Sequence, residues 1–176
     1  MSGTCPECGA EVEAHAHAGR PRIYCSSKCG TRARVRKLRR ERLPELMISS
    51  HRWVRADGKR PIRVNGRSAS STDPTTWVSF KDVKDGGPGD GFGVMLGGGL
   101  GCYDLDHVSD ETARDFIEWI PEPVVYMERS VSGEGVHVFV EATEGPGAHV
   151  MVGGVKAERY TRARFIRTTL DRFSAR

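Results

Sequence analysis

Polar and apolar residues alternate along several short segments after residue 50, a spacing that is typical of half-buried β-strands. In the run from Val136 to Val140, three valines share one face and His137 lies on the other. In the run from residue 100 to residue 108, Cys102, Asp104 and Asp106 share one face. Further strands are predicted over residues 51–54, 92–96, 123–128, 155–160 and 164–169.

A helical spacing of apolar residues occurs once between these strands. Asp110 and Glu111 suit the positive end of a helix dipole, and apolar residues then recur three and four apart. The residues of this stripe are Ala113, Phe116, Ile117 and Ile120. The spacing predicts a helix that packs on the sheet.

Three consecutive glycines, residues 97–99, separate two of the predicted strands. We expect a tight turn there and a hairpin formed by residues 92–96 and 100–108. A phosphate-binding glycine loop is normally followed by a helix, whereas a strand follows here. The sequence also contains no complete glycine-lysine nucleotide motif, so it predicts no ATP-driven helicase module.

Two cysteine pairs near the start of the chain have the spacing of a zinc site. Cys5 and Cys8 are followed, after 16 intervening residues, by Cys25 and Cys29. Four such thiolates can converge on one tetrahedral Zn²⁺, so His15 and His17 are expected to be loop residues. A segment of this size buries too little surface to fold unaided, and zinc would supply much of its stability.

A dense run of positive charge follows the second cysteine pair. Residues 1–43 contain ten Lys and Arg against four Asp and Glu, whereas the rest of the chain has 17 against 19. The second cysteine pair is expected to open a helix that carries this charge. Such a helix suits contact with the phosphate backbone of DNA, without base specificity. The residues expected to make it are Arg32, Arg34, Arg36, Lys37, Arg39 and Arg40. Pro44 ends this helix, which predicts a zinc-binding module over 1–43 and a second domain over 44–176.

The remaining composition limits the possible classes of protein. With 38% hydrophobic and 28% charged residues, the chain has the composition of a globular protein. It contains no apolar run long enough for a membrane span and no secretory leader. We therefore expect a cytoplasmic protein with reduced cysteines.

Asp104 and Asp106 are the main candidates for metal-ligating residues in the second domain. Because side chains alternate along a strand, both carboxylates point to the same side, which is a geometry for binding a divalent metal. His137 comes about thirty residues later, directly after a turn rich in serine and glycine. Taken alone, neither residue type indicates a functional site, because a histidine on a strand is usually an ordinary hydrogen-bonded residue and a glutamate such as Glu158 is usually exposed.

Taken together and in this order, these motifs resemble the archaeo-eukaryotic primase superfamily, in its phage and plasmid primase-polymerase branch. The resemblance covers about residues 51–170. It implies an α+β fold, a modified RNA-recognition-type (RRM-like) antiparallel sheet with flanking helices, preceded here by the zinc-binding module and its basic helix. It also implies a template-dependent nucleotidyltransferase, a DNA primase or primase-polymerase, acting in phage or plasmid replication.

The resemblance assigns roles to individual residues. Asp104, Asp106 and Glu158 look like the acidic ligands of two catalytic Mg²⁺ or Mn²⁺ ions. His137 looks like a contact to the phosphates of the incoming nucleotide. The other residues implied in nucleotide binding are Ser132, Gly135, Arg164 and Lys59, with Arg129 as an alternative arginine. The expected partners are a single-stranded DNA template, nucleoside triphosphates and a separately encoded helicase, because the chain ends soon after the third motif.

Two departures from the family pattern keep other functions open. Gly135 occupies a position that is often serine, and Thr168 and Thr169 stand where threonine-glycine is usual. A zinc-dependent DNA-binding protein with a degenerate primase-like core is therefore an alternative. A nuclease of the His-Asn-His type, suggested by Asp106 and His107, is a weaker alternative because the later histidine falls on a predicted strand.

Overall fold

The computed structural model describes residues 3–12, 22–41 and 43–174, with the side chains of residues 35–41 left out. The chain divides into two compact units, Met1–Arg42 and Leu43–Arg176. Within the described ranges, no helix combines the length and apolar character that a membrane crossing requires.

The smaller unit is built around its cysteines. Strands β1 (Gly3–Thr4) and β2 (Glu11–Val12) pair antiparallel, and helix α1 spans Ser27–Glu41. Gly9 has a φ of 76°, and its N–H donates to the carbonyl of Cys5, which closes a tight turn around the first cysteine pair. Apart from the cysteines, Val12 is the buried apolar residue of this core, with Tyr24 packed beside it.

The larger unit contains two antiparallel sheets. Its elements are α2 (Glu45–Ile48), β3 (Trp53–Asp57), β4 (Arg60–Ile62), α3 (Phe80–Lys84), β5 (Gly91–Met95), β6 (Leu100–Leu105), α4 (Asp110–Trp119), β7 (Val124–Arg129), β8 (Val136–Glu141), β9 (Ala148–Val152), β10 (Val155–Tyr160) and β11 (Phe165–Thr168). Five strands lie in the order β7-β8-β6-β10-β9, and four in the order β11-β5-β3-β4. The mixed α+β class with antiparallel strands is confirmed.

The glycine turn separates the two sheets, which corrects the predicted hairpin. Strands β5 and β6 flank the turn, but β5 pairs with β3 and β11 while β6 pairs with β8 and β10. The φ values of Gly97, Gly98 and Gly99 are 130°, 62° and 91°, a path that side chains rarely permit. The chain therefore leaves one sheet and enters the other, and the larger unit has two sheets where one was expected. The RRM-like topology stays a prediction.

Helix α4 covers one face of the five-stranded sheet. The Oγ atom of Ser109 accepts a hydrogen bond from the N–H of Thr112 and caps the helix. Ala113 and Phe116 are fully buried against the sheet, as the apolar stripe predicts. The sheet residues in this core include Tyr103, Leu105, Met127, Val136, Val138, Val140 and Ala157. The opposite face of the sheet is left for polar residues and for packing against the second sheet.

A second core joins this opposite face to the four-stranded sheet. Trp53 is fully buried, its ring centroid lies 4.6 Å from that of Phe80, and its Nε1–H donates to the carbonyl of Met47 at 2.8 Å. From the five-stranded sheet, Cys102 and Phe139 enter the same cluster. The two sheets are thus fixed to one another by apolar packing beside the polar residues.

Candidate active site

A row of five polar residues crosses the five-stranded sheet. Directly paired residues of neighbouring antiparallel strands project from the same face. The pairs are Glu128 with His137, His137 with Asp104, Asp104 with Glu158, and Glu158 with His149. Each of the five strands therefore contributes one residue to this row. Acids and histidines alternate along it, except that Asp104 and Glu158 are neighbours.

Asp104 lies at the centre of this row and is partly buried. One of its carboxylate oxygens lies 3.6 Å from Nε2 of His137. Burial raises the pKa of Asp104, and the charges of Asp106 and Glu158 raise it further, whereas His137 and Arg164 lower it. Three carboxyl groups are thus close enough to repel one another at this point of the sheet.

Glu158 is held by groups on both sides of it. The hydroxyl of Tyr160 donates to Oε2 at 2.7 Å, and this bond, followed by burial, raises the pKa of Tyr160. The Arg164 guanidinium lies 3.8 Å from the same oxygen and 4.4 Å from the centre of the Tyr160 ring. On the other side, Nδ1 of His149 lies 3.7 Å from Oε1. The orientation of the Glu158 carboxylate is therefore set by its own strand β10, by the segment that follows it and by the neighbouring strand β9.

A cleft of about 750 Å³ opens between the two sheets beside Asp104. It is large enough for a small-molecule ligand of nucleotide size. Six of the predicted site residues line it: Lys59, Asp104, Asp106, Ser132, His137 and Arg164. Glu158 and Gly135 are not among the lining residues.

The turn between β3 and β4 brings Lys59 to the cleft. Arg167 of β11 also lines the cleft, and its guanidinium donates to the carbonyls of Gly58 and Asp90. The same guanidinium lies 3.3 Å from Oδ1 of Asp90, whose other partner is the N–H of Gly58. Arg167 therefore positions the turn that carries Lys59, a role that the sequence did not indicate.

The turn before β8 forms the opposite wall. Oγ of Ser130 lies 3.0 Å from Oγ of Ser132 and accepts from the N–H of Gly135 at 3.2 Å. A Cβ on Gly135 would lie 2.5 Å from the carbonyl oxygen of Leu105. Glycine is required here because the turn packs against the end of β6, where Asp106 follows.

Arg129 does not reach the cleft. Its guanidinium donates to Asp110 at 2.8 Å and lies 5.2 Å from the centre of the Phe173 ring. The hydrogen bond raises the pKa of Arg129 and lowers that of Asp110. Of the two arginines considered for nucleotide binding, Arg164 is the one at the cleft.

The three predicted metal ligands, Asp104, Asp106 and Glu158, have the chemistry that a divalent cation requires. Carboxylate oxygens are the preferred ligands of Mg²⁺, and a cation would relieve the repulsion that helps to raise the pKa of Asp104. Asp104, Asp106 and Glu158 are not gathered within 4.8 Å of one another as the four cysteines are, in the described part of the chain. Ligands on either side of two ions about 3.5–4 Å apart can be more widely spaced than that.

The four cysteines form a compact cluster that fits one metal ion. Their Sγ atoms all lie within 4.8 Å of one another, and none is in a disulfide. Sγ of Cys25 lies 3.4 Å from that of Cys8 and 3.7 Å from that of Cys29. A tetrahedral site with Zn–S bonds of ~2.3 Å places sulfurs at similar spacings. A backbone hydrogen bond at Cys25 is the main cause that lowers the pKa of Cys5 to about 6, whereas side-chain hydrogen bonds to Cys8 and Cys29 raise the pKa of Cys25.

The basic helix begins beside this cluster. Helix α1 includes Cys29, whose N–H donates to Oγ of Ser26, and both Arg32 and Arg34 are exposed. The side chains of Arg36, Lys37, Arg39 and Arg40 lie outside the described residues, as do His15 and His17. DNA binding by this helix stays a prediction.

Two residues of the row were not identified from the sequence. Glu128 is completely buried and lies 3.1 Å from Nδ1 of His137, and His149 is an exposed residue of β9. Glu128 gives no local signal beyond its place on a predicted strand, because its partners Thr169 and Leu170 lie far along the chain. His149 follows a segment rich in glycine and proline and gives no local signal.

Comparison with known proteins gives one partial match. No family model matches the chain. A protein named DNA Primase-polymerase, from Nitratiruptor phage NrS-1, is 40% identical over 85 residues. The match covers 43% of this chain and 12% of the relative, so the chain spans a small part of that protein's length. Over the matched part, the chain is similar to a phage primase-polymerase.

Proposed function

We propose that the chain is the catalytic core of a DNA primase-polymerase that transfers nucleotides to a 3′-hydroxyl on a single-stranded DNA template. The observation that carries this proposal is the cross-strand row centred on Asp104, which opens on a cleft lined by Lys59, His137 and Arg164. Clustered carboxylates beside cationic groups suit the joint binding of metal and triphosphate. The similarity to a phage primase-polymerase supports the same conclusion.

Asp104, Asp106 and Glu158 would hold two Mg²⁺ or Mn²⁺ ions. When bound, such ions stabilise phosphate charge as Lewis acids and lower the pKa of a coordinated hydroxyl. Tyr160 and Arg164 keep the Glu158 carboxylate from rotating freely, because each contacts its Oε2 atom. The site would then present the carboxylates in one orientation before substrate arrives.

Binding of the triphosphate would fall to the cations of the cleft. Lys59 and Arg164 enter from separate elements and lie on the same cleft as His137, so a polyphosphate can contact several donors at once. The hydroxyl of Ser132 and the backbone of the Ser130–Gly135 turn offer further polar contacts. These residues would bind and orient the α-phosphate for in-line displacement of pyrophosphate.

The cysteine cluster and α1 would hold the template. Zinc bound by Cys5, Cys8, Cys25 and Cys29 would stabilise the smaller unit. Its helix would contact the phosphate backbone without reading bases, since arginines in this density release counterions from DNA. A separate helicase partner stays a prediction.

Metal-dependent incorporation of labelled nucleotide on a single-stranded template tests the proposal. Both ribo- and deoxynucleotides should be supplied, with Mg²⁺ and Mn²⁺ in parallel. The double variant Asp104→Ala/Asp106→Ala should lose incorporation. The matched control Asp115→Ala/Glu118→Ala removes the same charge from exposed positions of α4 and should keep it.

The two alternatives predict other results in this assay. A DNA-binding protein with a degenerate core would bind template but incorporate nothing under any condition, which would reject the proposal. A nuclease would cut plasmid or template in Mg²⁺ or Mn²⁺. His107, which suggested that alternative, forms an exposed pair with Glu134 at 3.1 Å and lies outside the row.

A further inference from the structure

Glu128 is a buried acid whose role goes beyond the packing of β7. It has no exposed surface, and both of its oxygens have partners. Oε2 accepts from the N–H groups of Thr169 at 3.2 Å and Leu170 at 3.0 Å, and Oε1 lies 3.1 Å from Nδ1 of His137. A buried carboxylate is costly unless its oxygens are hydrogen-bonded, as both oxygens of Glu128 are here.

The segment after β11 is shaped to hold Glu128. Leu170 has a φ of 59°, a left-handed conformation that is strained in a residue other than glycine. Oγ1 of Thr169 donates to the carbonyl of Arg129, and the N–H of Arg129 donates to the carbonyl of Asp171. The segment is thereby fixed beside β7, with two backbone N–H groups directed at one oxygen.

Because Oε2 of Glu128 accepts from two backbone N–H groups and Oε1 faces Nδ1 of His137, Glu128 determines which ring nitrogen of His137 carries a proton. A carboxylate accepts hydrogen bonds and donates none, so the ring must present a proton on Nδ1 to bond with Oε1. Nε2 is then the ring atom on the side of Asp104 and the cleft. This assignment is the same for the neutral and the charged ring.

We propose that Glu128 is a positioning residue that keeps the proton of His137 on Nδ1 and thereby directs Nε2 toward the bound nucleotide. The role in nucleotide binding rests on the proposed function, whereas the effect on the ring does not. Partners that orient a histidine in this way typically change activity by about 10–100-fold when they are removed.

Substitution of Glu128 by glutamine gives a sharp test, because the side chain keeps its size. The glutamine carbonyl should stay with the N–H groups of Thr169 and Leu170, since two bonds outweigh one. Its NH₂ group then faces Nδ1 and requires a lone pair there, which moves the ring proton to Nε2. The variant should therefore exchange one tautomer of His137 for the other.

The tautomer can be read directly by NMR on protein labelled with ¹⁵N-histidine. A His137→Gln sample identifies the His137 signals among those of the six histidines. The proton should reside on Nδ1 in the wild-type protein and on Nε2 in Glu128→Gln. A wild-type ring protonated on Nε2 alone would overturn the proposal, and this result requires neither activity nor a folded Glu128→Gln variant.

A second carboxylate on the other face of the sheet supplies the matched control. Glu122 accepts from Tyr103 at 2.7 Å and from Arg159 at 2.6 Å and has no contact with the row. Glu122→Gln should lower stability but leave the tautomer of His137 and the KM for nucleotide unchanged. Glu128→Gln should lower kcat/KM for nucleotide about 10–100-fold, mainly through KM.

The outcomes separate the two proposals. A tautomer change without any nucleotide incorporation by the wild-type protein would support the positioning role and reject the proposed function. Incorporation by the wild-type protein that Glu128→Gln leaves unchanged would reject the positioning role alone. An effect on KM in Glu122→Gln equal to that in Glu128→Gln would show that both act only through stability.

Discussion

Gly135 is the position at which one added methyl group tests how the Ser130–Gly135 turn packs against the end of β6. In Gly135→Ala, the new Cβ would lie 2.5 Å from the carbonyl oxygen of Leu105 and 3.0 Å from Oγ of Ser130. Real Cβ atoms essentially never approach closer than 3.0 Å, so β6 and the turn must separate by about half an ångström. Because the nearest atom is a backbone oxygen, no side-chain rotation can relieve this overlap.

Overpacking of this kind costs about 1–3 kcal/mol. With a urea m-value of ~1–3 kcal/mol/M, the unfolding midpoint should fall by about 1 M. Trp53, Trp77 and Trp119 are the three tryptophans of the chain, and all belong to the larger unit, so their fluorescence follows its unfolding alone.

Gly145→Ala is the matched control. A Cβ at Gly145 meets nothing within 4 Å, and its φ lies outside the left-handed region. Its free energy of unfolding should stay within about 0.5 kcal/mol of the wild-type value. If Gly135→Ala is as stable as this control, the steric reason given for glycine at this position is wrong. Nucleotide incorporation should also fall in Gly135→Ala, because the displaced strand end leads directly into Asp106.

Three further predictions concern the metal cluster, one ion pair and the second core. Chelation of zinc should make four thiols reactive to a thiol reagent, while Cys102, fully buried, stays protected; five reactive thiols, or none, would contradict this. The hydrogen bond from Arg129 lowers the pKa of Asp110, so its stabilisation is complete above the unfolded value of ~3.9 and is lost as pH falls through the folded pKa. Asp110→Asn should therefore show a smaller loss of stability than wild type between pH 7 and pH 3, by circular dichroism. Trp53→Phe removes one of two donors to the carbonyl of Met47, the other being the hydroxyl of Ser50, and should lower the free energy of unfolding by about 0.5–1.5 kcal/mol, whereas an unchanged free energy would show that the Ser50 bond alone satisfies this carbonyl.

Strand alternation allowed much of the larger unit to be predicted, because the face on which a side chain lies depends only on its own strand. The valine face of β8 and the apolar stripe of α4 pack together as expected. The cysteine spacing likewise predicted a cluster that the structure forms. In these cases the information is local, a period of two or 3.6 or a motif of a few residues.

Register and sheet membership could not be obtained in this way, because they depend on pairing between distant segments. Strand alternation places Asp104 and His137 on polar faces, but only the pairing of β6 with β8 and β10 sets Asp104 between His137 and Glu158. The glycine turn was predicted correctly as a turn. Strands β5 and β6 nevertheless belong to separate sheets, because each pairs with other strands and not with the other.

The sequence by itself therefore determined on which strand faces Asp104 and His137 lie, and the tertiary structure decided which polar residues meet and how they are held. Glu128 shows the difference most clearly: its burial and its bonds depend on a segment more than forty positions further along the chain. No periodicity can report such a contact, because the free energy of a buried carboxylate is set by the donors that folding brings to it.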